Sequence, residues 1–207
     1  MPRTADHDAR RAQIRDGVRS VALDAGLASV TIARVAGASG VSVGLVQHYF
    51  NSKEALLEHT YRHLVDTLEE RVDRRVERAE AHQARIEQII VEALAELLPL
   101  DRRRRDDAYL LAAFDAMALD NDSMLPAAAD RQRWLHRRLA GAVANGKECG
   151  EVAPDRDVDT AARTLSAAAQ GLTLQGLIDP TRSRRAALLA ALRLPAAEIF
   201  AGRCHRA

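Results

Sequence analysis

Residues 31–50, TIARVAGASGVSVGLVQHYF, decide the fold of this chain. Thr31 and Ser42 each precede a short run with helical periodicity, and a hydroxyl in that place caps the free amides of a first helical turn. Gly40 lies between the two runs, where glycine readily takes the left-handed conformation that ends a helix. The spacing predicts a helix-turn-helix, two short helices that cross steeply, over 31–38 and 42–50.

A third helix completes this N-terminal unit. Ile14, Val18 and Val21 recur at helical spacing ahead of Gly26, which predicts a helix over 10–25. The apolar residues of the pair are expected to pack against it: Ile32, Val35, Ala36, Val41 and Val46.

The side chains left outward on the second helix of the pair suit DNA. Gln pairs bidentately with adenine, Ser, His and Tyr reach phosphates or base edges, and Val meets a thymine methyl group. The outward residues are Ser42, Val43, Gly44, Gln47, His48 and Tyr49. On geometry alone, a helix-turn-helix that serves only packing stays the alternative.

The rest of the chain predicts six longer helices and no strand. Ala and Leu dominate the composition and aromatic residues make up 3%, as expected for helices rather than strands. Periodicity, caps and breaks predict helices over 53–80, 84–98, 105–120, 124–148, 157–178 and 183–194. The predicted fold is all-α, with a three-helix domain at 1–52 and a six-helix domain at 53–207.

Charge and cysteine content narrow the classes of function. The formal net charge of +1 excludes a globally basic nucleic-acid coat, yet residues 1–53 hold seven basic and four acidic side chains. Cys149 and Cys204 are too few for a disulfide framework, and their spacing does not mark them as metal ligands. No apolar run reaches membrane-spanning length and no signal-peptide core is present, so we expect a cytoplasmic protein. No G-x-G-x-x-G or P-loop motif is present, and we expect no cofactor.

Three further motifs are less specific than they look. Residues 40–44 match the G-x-S-x-G nucleophile elbow, but a capped helix precedes the serine where that motif needs a strand, so we expect no enzyme. His59 and His63 have a metal-binding spacing without an evident third ligand. The charged run from Arg102 to Asp107 is expected to be a solvated loop, with an anion-binding feature as the alternative.

Several elements in fixed order resemble the DNA-binding domain of the tetracycline-repressor (TetR/AcrR) family of transcriptional regulators. They are TIARVA at 31–36, GVSVG at 40–44 and YFNSKEAL at 49–56. Residues 159–180 are similar to the C-terminal domain of the choline-responsive betaine-synthesis repressor (BetI) type. The resemblance implies a homodimeric repressor that binds a near-palindromic operator and is released by a small molecule. A helical enzyme or metal-binding protein that uses the helix-turn-helix as a scaffold is the alternative.

The resemblance also implies roles for single residues. Thr31 corresponds to a residue that contacts phosphate, and Lys53 corresponds to the lysine that binds phosphate at the start of the fourth helix. Leu45 and Gln47 depart from the common pattern, which has a Thr and an aromatic residue there. Arg34 and the N-terminal arginines Arg3, Arg10 and Arg11 are candidates for further backbone contacts, with a solvated face as the equal alternative. The predicted DNA-binding set is Thr31, Arg34, Ser42, Val43, Gly44, Gln47, His48, Tyr49 and Lys53.

For the second domain, the resemblance implies an effector pocket. Its expected lining residues are Tyr109, Phe114, Met117, Trp134, Gln170 and Gln175. Choline recognition uses an aromatic cage, and this domain offers few aromatic residues to build one. We therefore expect a mainly apolar effector.

The resemblance further implies a homodimer through helices 157–178 and 183–194. The predicted dimer face combines a stripe of mostly small residues with bulkier leucines. It consists of Ala161, Ala162, Leu165, Ala168, Ala169, Leu172 and Gly176 on the first helix and of Leu188, Leu189 and Leu192 on the second. Packing of this face within one chain is the alternative.

Overall fold

The structure is a computed structural model that describes residues 2–181 and 183–204, with side chains from residue 7 onward. Within these residues it holds no strand, and it is all-helical as predicted. The helices are α1 (Pro2–Ala25), α2 (Ile32–Ser39), α3 (Val43–Tyr49), α4 (Lys53–Ala81), α5 (Ile86–Leu94), α6 (Arg102–Ala118), α7 (Leu125–Cys149), α8 (Val158–Ile178) and α9 (Arg185–Ile199), with a 3₁₀ turn at Leu27–Ser29. No helix in the described part of the chain is long and apolar enough to cross a membrane.

The chain divides into two compact units. The first comprises Met1–Val65 and Leu110–Ala128, and the second comprises Asp66–Tyr109 and Ala129–Ala207. Helices α4, α6 and α7 contribute residues to both units. The domain boundary at 52/53 stays a prediction, and α4 begins at that point.

In the first unit, α2 packs against both α1 and α3. The side chains in its core are fully buried: Ile14, Val18, Val35 and Val46. Gly17 of α1 lies so close to α2 that a Cβ there would stand 1.9 Å from Ser39 Oγ and 3.0 Å from the Val35 carbonyl oxygen. The missing side chain at Gly17 therefore sets how closely α1 approaches the helix-turn-helix.

In the second unit, α9 packs against α5 and α8. The predicted solvated loop from Arg102 to Asp107 is wrong, because these residues form the first turns of α6. Asp101 caps that helix, accepting a hydrogen bond of 2.9 Å from the Arg104 amide, and this bond lowers the pKa of the Asp101 carboxyl. Asp107 is buried. An aspartate immediately before the run was the signal for a helix start.

Three other helix limits differ from the prediction. Helix α1 begins at Pro2 rather than residue 10, because proline fits a first helical turn and periodicity cannot mark a polar segment. Helix α5 ends at Leu94, and residues 95–98 continue as tight turns. Helix α9 runs through Pro195 to Ile199, where buried Ala196 and Ile199 offset the hydrogen bond that proline cannot donate.

Candidate nucleic-acid interface and ligand cavity

The helix-turn-helix has the predicted caps and turn. Thr31 Oγ1 accepts a hydrogen bond of 3.2 Å from the Arg34 amide, and Ser42 Oγ accepts one of 3.1 Å from the Leu45 amide. Gly40 is left-handed, with φ 66° and ψ 32°. Thr31 thus starts α2, and Gly40 and Ser42 end α2 and start α3 within three residues.

One side of α3 is exposed to solvent. Val43, Gly44, Gln47 and His48 occur at positions i, i+1, i+4 and i+5 and therefore share a face, and Ser42 is exposed beside them. Val46 on the opposite side is fully buried. The structure thus brings five of the predicted DNA-binding residues together on one accessible surface.

Tyr49 is half-buried at the end of α3, between two histidine rings. Its ring centroid lies 5.4 Å from that of His48, edge-on, and 4.9 Å from that of His7 on α1. His7 was not predicted from the sequence, since nothing in the pattern of residues 2–9 relates that position to α3. These contacts orient the Tyr49 ring beside the exposed face.

The remaining predicted contacts lie at helix starts. Thr31 is exposed, and Arg34 is exposed with its Nη1 donating to the Ser29 carbonyl oxygen over 3.3 Å. Lys53 is half-buried as the first residue of α4. Arg10 and Arg11 are exposed on α1, whereas the Arg3 side chain lies outside the described residues.

Gln13 is a positioning residue that the sequence analysis missed. Its Nε2 donates a 2.7 Å hydrogen bond to the Ser39 carbonyl oxygen, at the last residue of α2. A carbonyl at a helix end has no partner within the helix, so a side-chain donor from another helix satisfies it. Gln13 thereby fixes α1 to the turn in front of α3.

His59 does not face a metal-binding arrangement. Its Nε2 lies 3.4 Å from Arg15 Nη1, and its ring packs 5.2 Å from that of Phe50. A guanidinium at this distance repels a cation. Burial lowers the pKa of Arg15. Among the described residues, no third metal-ligating side chain gathers with His59 and His63.

The second unit contains a cavity of ≈ 310 Å³ between α4, α5 and α7. Apolar side chains form most of its wall, including Val72, Val76, Ile86, Ile89, Ile90, Leu94, Leu135 and Leu139. Polar groups enter it from Glu80, Arg137, Arg138 and Asn145. This balance of an apolar wall with a few polar groups is typical of small-molecule sites.

Of the six residues predicted to line an effector pocket, the structure places Trp134 in the wall of this cavity. The other five are not among its lining residues. Phe114 is fully buried with its ring 5.4 Å from that of Tyr61, Gln170 bonds to Gln132, Met117 is half-buried, and Tyr109 and Gln175 are exposed. Helix α4 was not predicted to line the pocket, although Val72 and Val76 recur at an i, i+4 spacing.

The predicted dimer face is largely packed inside the chain. Ala161, Ala162, Leu165, Ala169, Gly176, Leu188 and Leu192 are all buried in the monomer. A Cβ at Gly176 would stand 2.7 Å from Pro99 Cγ of the same chain. The apolar side chains that α8 and α9 leave to solvent are different ones: Leu174, Ile178 and Leu194, which are 53%, 74% and 72% exposed.

Comparisons with known proteins agree with this architecture. Residues 14–60 match the family model described as bacterial regulatory proteins of the tetR family, and residues 87–201 match the C-terminal model of BetI-type transcriptional repressors. The chain is similar to the HTH-type transcriptional regulator BetI 1 of Chromohalobacter salexigens, with 30% identity over 87% of this chain and 85% of that protein. It is also similar to the regulator PksA of Bacillus subtilis, with 25% identity over 88% and 85%.

Two solved structures illustrate the likeness in fold. A transcriptional regulator from Rhodococcus sp. RHA1 is 27% identical, with 92% of this chain and 96% of that chain covered and a TM-score of 0.82. A regulator from Saccharomonospora viridis, solved in complex with choline, is 23% identical, with 89% and 94% covered and a TM-score of 0.78. The second likeness shows the fold alone.

Proposed function

We propose a function that starts from one established fact: this chain belongs to the TetR family of bacterial transcriptional regulators and carries a BetI-type C-terminal domain. The protein binds a near-palindromic operator as a homodimer, represses transcription in the cytoplasm, and is released by a small-molecule effector. Residues 1–52 form its DNA-binding domain, and residues 53–207 bind the effector and the second subunit. The family consists of transcriptional regulators, which are not enzymes.

The exposed face of α3 is the observation that carries this proposal. Helix α3 enters the major groove with Gln47 reading a base edge, while Val43 contacts a thymine methyl group. Thr31, Arg34 and Lys53 contact phosphates from helix starts, and they set the position of α3 without reading sequence. Ser42, Gly44, His48 and Tyr49 complete the interface.

The homodimer forms through α8 and α9, on a face that differs from the stripe of small residues expected from the sequence. Leu174, Ile178 and Leu194 are large apolar side chains left in solvent on these two helices. Burying them against a second subunit stabilises the dimer by about 25 cal/mol per Å² of apolar surface. A twofold dimer presents its two recognition helices about 34–36 Å apart, which requires a near-palindromic operator.

The effector binds in the cavity between α4, α5 and α7 and is mainly apolar. Among the residues that line the cavity, Trp134 is the aromatic one, and a single ring does not make the cage that encloses a quaternary ammonium group. The regulator from S. viridis was solved in complex with choline, but choline is not the effector that we propose for this chain. Release requires the effector to favour the arrangement that does not bind DNA, because only that difference in affinity shifts the equilibrium.

Titration of the protein against DNA from upstream of its own gene tests this function. Fluorescence anisotropy should show saturable binding with two subunits per site, and an inverted-repeat half-site pair should be protected from cleavage by hydroxyl radicals. Scrambling one half-site at constant composition should weaken binding strongly. Equal affinity for intact and scrambled DNA would contradict a sequence-specific regulator.

A further inference from the structure

The segment after α9 folds back onto the turn that ends α7. The Gly202 amide donates a 2.9 Å hydrogen bond to the Glu151 carbonyl oxygen. A Cβ at Gly202 would stand 2.0 Å from the Gly150 carbonyl oxygen, so the two backbones meet at a distance that only glycine permits. Gly150 itself is left-handed, with φ 92°, and turns the chain at the end of α7. This contact brings Cys204 to the end of α7, where Cys149 is the last residue.

Arg85, which precedes α5, holds the same segment from a third direction. Its Nη2 donates to the carbonyl oxygens of Phe200 and Gly202 over 3.1 and 2.8 Å, and it lies 3.6 Å from Glu151 Oε2. Three parts of the second unit, the start of α5, the end of α7 and the C-terminal segment, therefore converge at one point.

Three metal-ligating side chains meet there. The sulfur atoms of Cys149 and Cys204 and a carboxylate oxygen of Glu151 all lie within 4.8 Å of one another. Two thiolates on one tetrahedral zinc ion, at 2.3 Å each, are about 3.8 Å apart, so small side-chain movements complete the site. Glu151 is 1% exposed and Cys149 is buried, whereas Cys204 is exposed and gives an ion access from solvent.

The Glu151 carboxylate is already oriented for this role. Its two oxygens accept hydrogen bonds of 3.2 and 3.3 Å from the amides of Ile86 and Glu87, at the start of α5. A carboxylate has about four lone-pair sites, so two amide donors leave capacity for a metal ion. Carboxylates that ligate metals are commonly held by such outer hydrogen bonds.

We propose that Cys149, Glu151 and Cys204 form a binding site for one thiophilic divalent cation, of the class of Zn²⁺ or Cd²⁺. The two thiols lose their protons to solvent as the ion binds, because thiolates are the ligating form. The ion and the Arg85 guanidinium then balance the charge of two thiolates and one carboxylate. The site ties the C-terminal segment to α5 and α7.

Cadmium titration of the reduced full-length chain tests this site. We expect one Cd²⁺ per chain with the ultraviolet thiolate-to-cadmium charge-transfer band, and a competing chromophoric chelator gives the affinity for Zn²⁺. Cys149→Ser and Cys204→Ser should each lose the full two-thiolate band and weaken binding by about 100-fold or more, since outer-shell changes alone cost about 10- to 100-fold. Asp155→Asn removes an exposed acidic charge of the same unit outside the cluster and should leave binding unchanged.

Cys204→Ser is the decisive variant because its side chain is exposed and its loss cannot empty a core. Metal should raise the Tm of the wild type and leave the Tm of Cys204→Ser unchanged. Binding that keeps its stoichiometry and affinity in Cys204→Ser would overturn the proposal. So would the absence of the charge-transfer band from a wild-type chain with both thiols reduced, because Glu151 would then serve only as the cap of α5.

Discussion

Arg71 Nη1 lies 2.6 Å from Asp107 Oδ2, and both side chains are only 10% exposed. Glu96 stands beside them and accepts from Arg75 over 3.1 Å and from Arg104 over 3.4 Å. Helices α4 and α6 and the turn after α5 are thereby joined by one ionic network inside the second unit. Charges at this depth are stable only together, since burying one without its partner is costly.

Removing Asp107 should therefore destabilise the protein severely. Asp107→Ala takes from the buried Arg71 guanidinium its partner at 2.6 Å and leaves it Glu96 at 3.5 Å, a carboxylate that also pairs with Arg75 and Arg104. We expect the free energy of unfolding to fall by about 3–5 kcal/mol in a urea titration. Glu70→Ala is the control, because Glu70 pairs with Arg74 over 3.3 Å in solvent and such pairs contribute about 0.5 kcal/mol or less. Similar losses of unfolding free energy in the two variants would show that the buried network stabilises the protein no more than an exposed ion pair does.

Gly17 should tolerate no larger residue. In Gly17→Ala the new Cβ meets Ser39 Oγ and the Val35 carbonyl oxygen, and α2 must shift, which we expect to cost about 1–3 kcal/mol of unfolding free energy. Gly37→Ala is a matched control on α2, where a Cβ meets nothing within 4 Å, and alanine should stabilise that helix by about 0.5–1 kcal/mol. Chemical denaturation monitored by circular dichroism measures the free energy of unfolding of both variants. An unchanged free energy of unfolding in Gly17→Ala would contradict the close approach of α1 to α2.

The helix-turn-helix was predictable almost residue by residue. Thr31, Gly40 and Ser42 act on their own few neighbours, so their roles as caps and turn follow from local chemistry alone. The exposed face of α3 follows in turn, because Val46 must point inward once the helix limits are known.

Features that depend on distant residues were not predictable in this way. The run from Arg102 to Asp107 looks solvated until Arg71 and Glu96, from two other elements, are placed beside it. A stripe of small residues such as Ala161 to Ala169 predicts close packing, but it does not say whether the neighbour belongs to the same chain. The meeting of Cys149 and Cys204 likewise depends on how the C-terminal segment folds back.

Lys53 and Gln47 should contribute differently to DNA binding. Loss of a phosphate contact in Lys53→Ala should weaken binding to all sequences and reduce the slope of log K against log salt by about one unit. Gln47→Ala should keep the salt slope and lose about 1–3 kcal/mol of discrimination at one base pair. Anisotropy titrations at several salt concentrations measure both. Arg74→Ala removes a positive charge elsewhere, Gln88→Ala removes a glutamine side chain elsewhere, and both should change neither quantity. A lower salt slope in Arg74→Ala would mean that net charge alone is responsible.

Trp134 makes the cavity observable, because it is the single tryptophan of the chain and it lines the wall. The apolar anion anilinonaphthalene sulfonate should bind there with energy transfer from Trp134 and saturate at one molecule per chain. Ala142→Phe fills part of the cavity and should weaken this binding about tenfold or more, which corresponds to about 1.4 kcal/mol. Ala116→Phe, on an exposed position of α6, is the control, and equal binding by both variants would place the probe outside the cavity.

Ile178 should decide the oligomeric state. It is 74% exposed at the end of α8, and Ile178→Lys would place an unpaired ammonium in the proposed interface, where its desolvation opposes association. Leu119→Lys is closely matched, since Leu119 is 78% exposed and directly follows the last residue of α6. Both positions lie at the C-terminus of a helix, where the helix dipole favours a positive charge, so neither variant should unfold.

Analytical ultracentrifugation should find a dimer for the wild type and Leu119→Lys and a monomer for Ile178→Lys. The monomer should also lose operator affinity, because each half-site then binds its subunit alone. A dimer that persists in Ile178→Lys would mean that the subunits meet through another face.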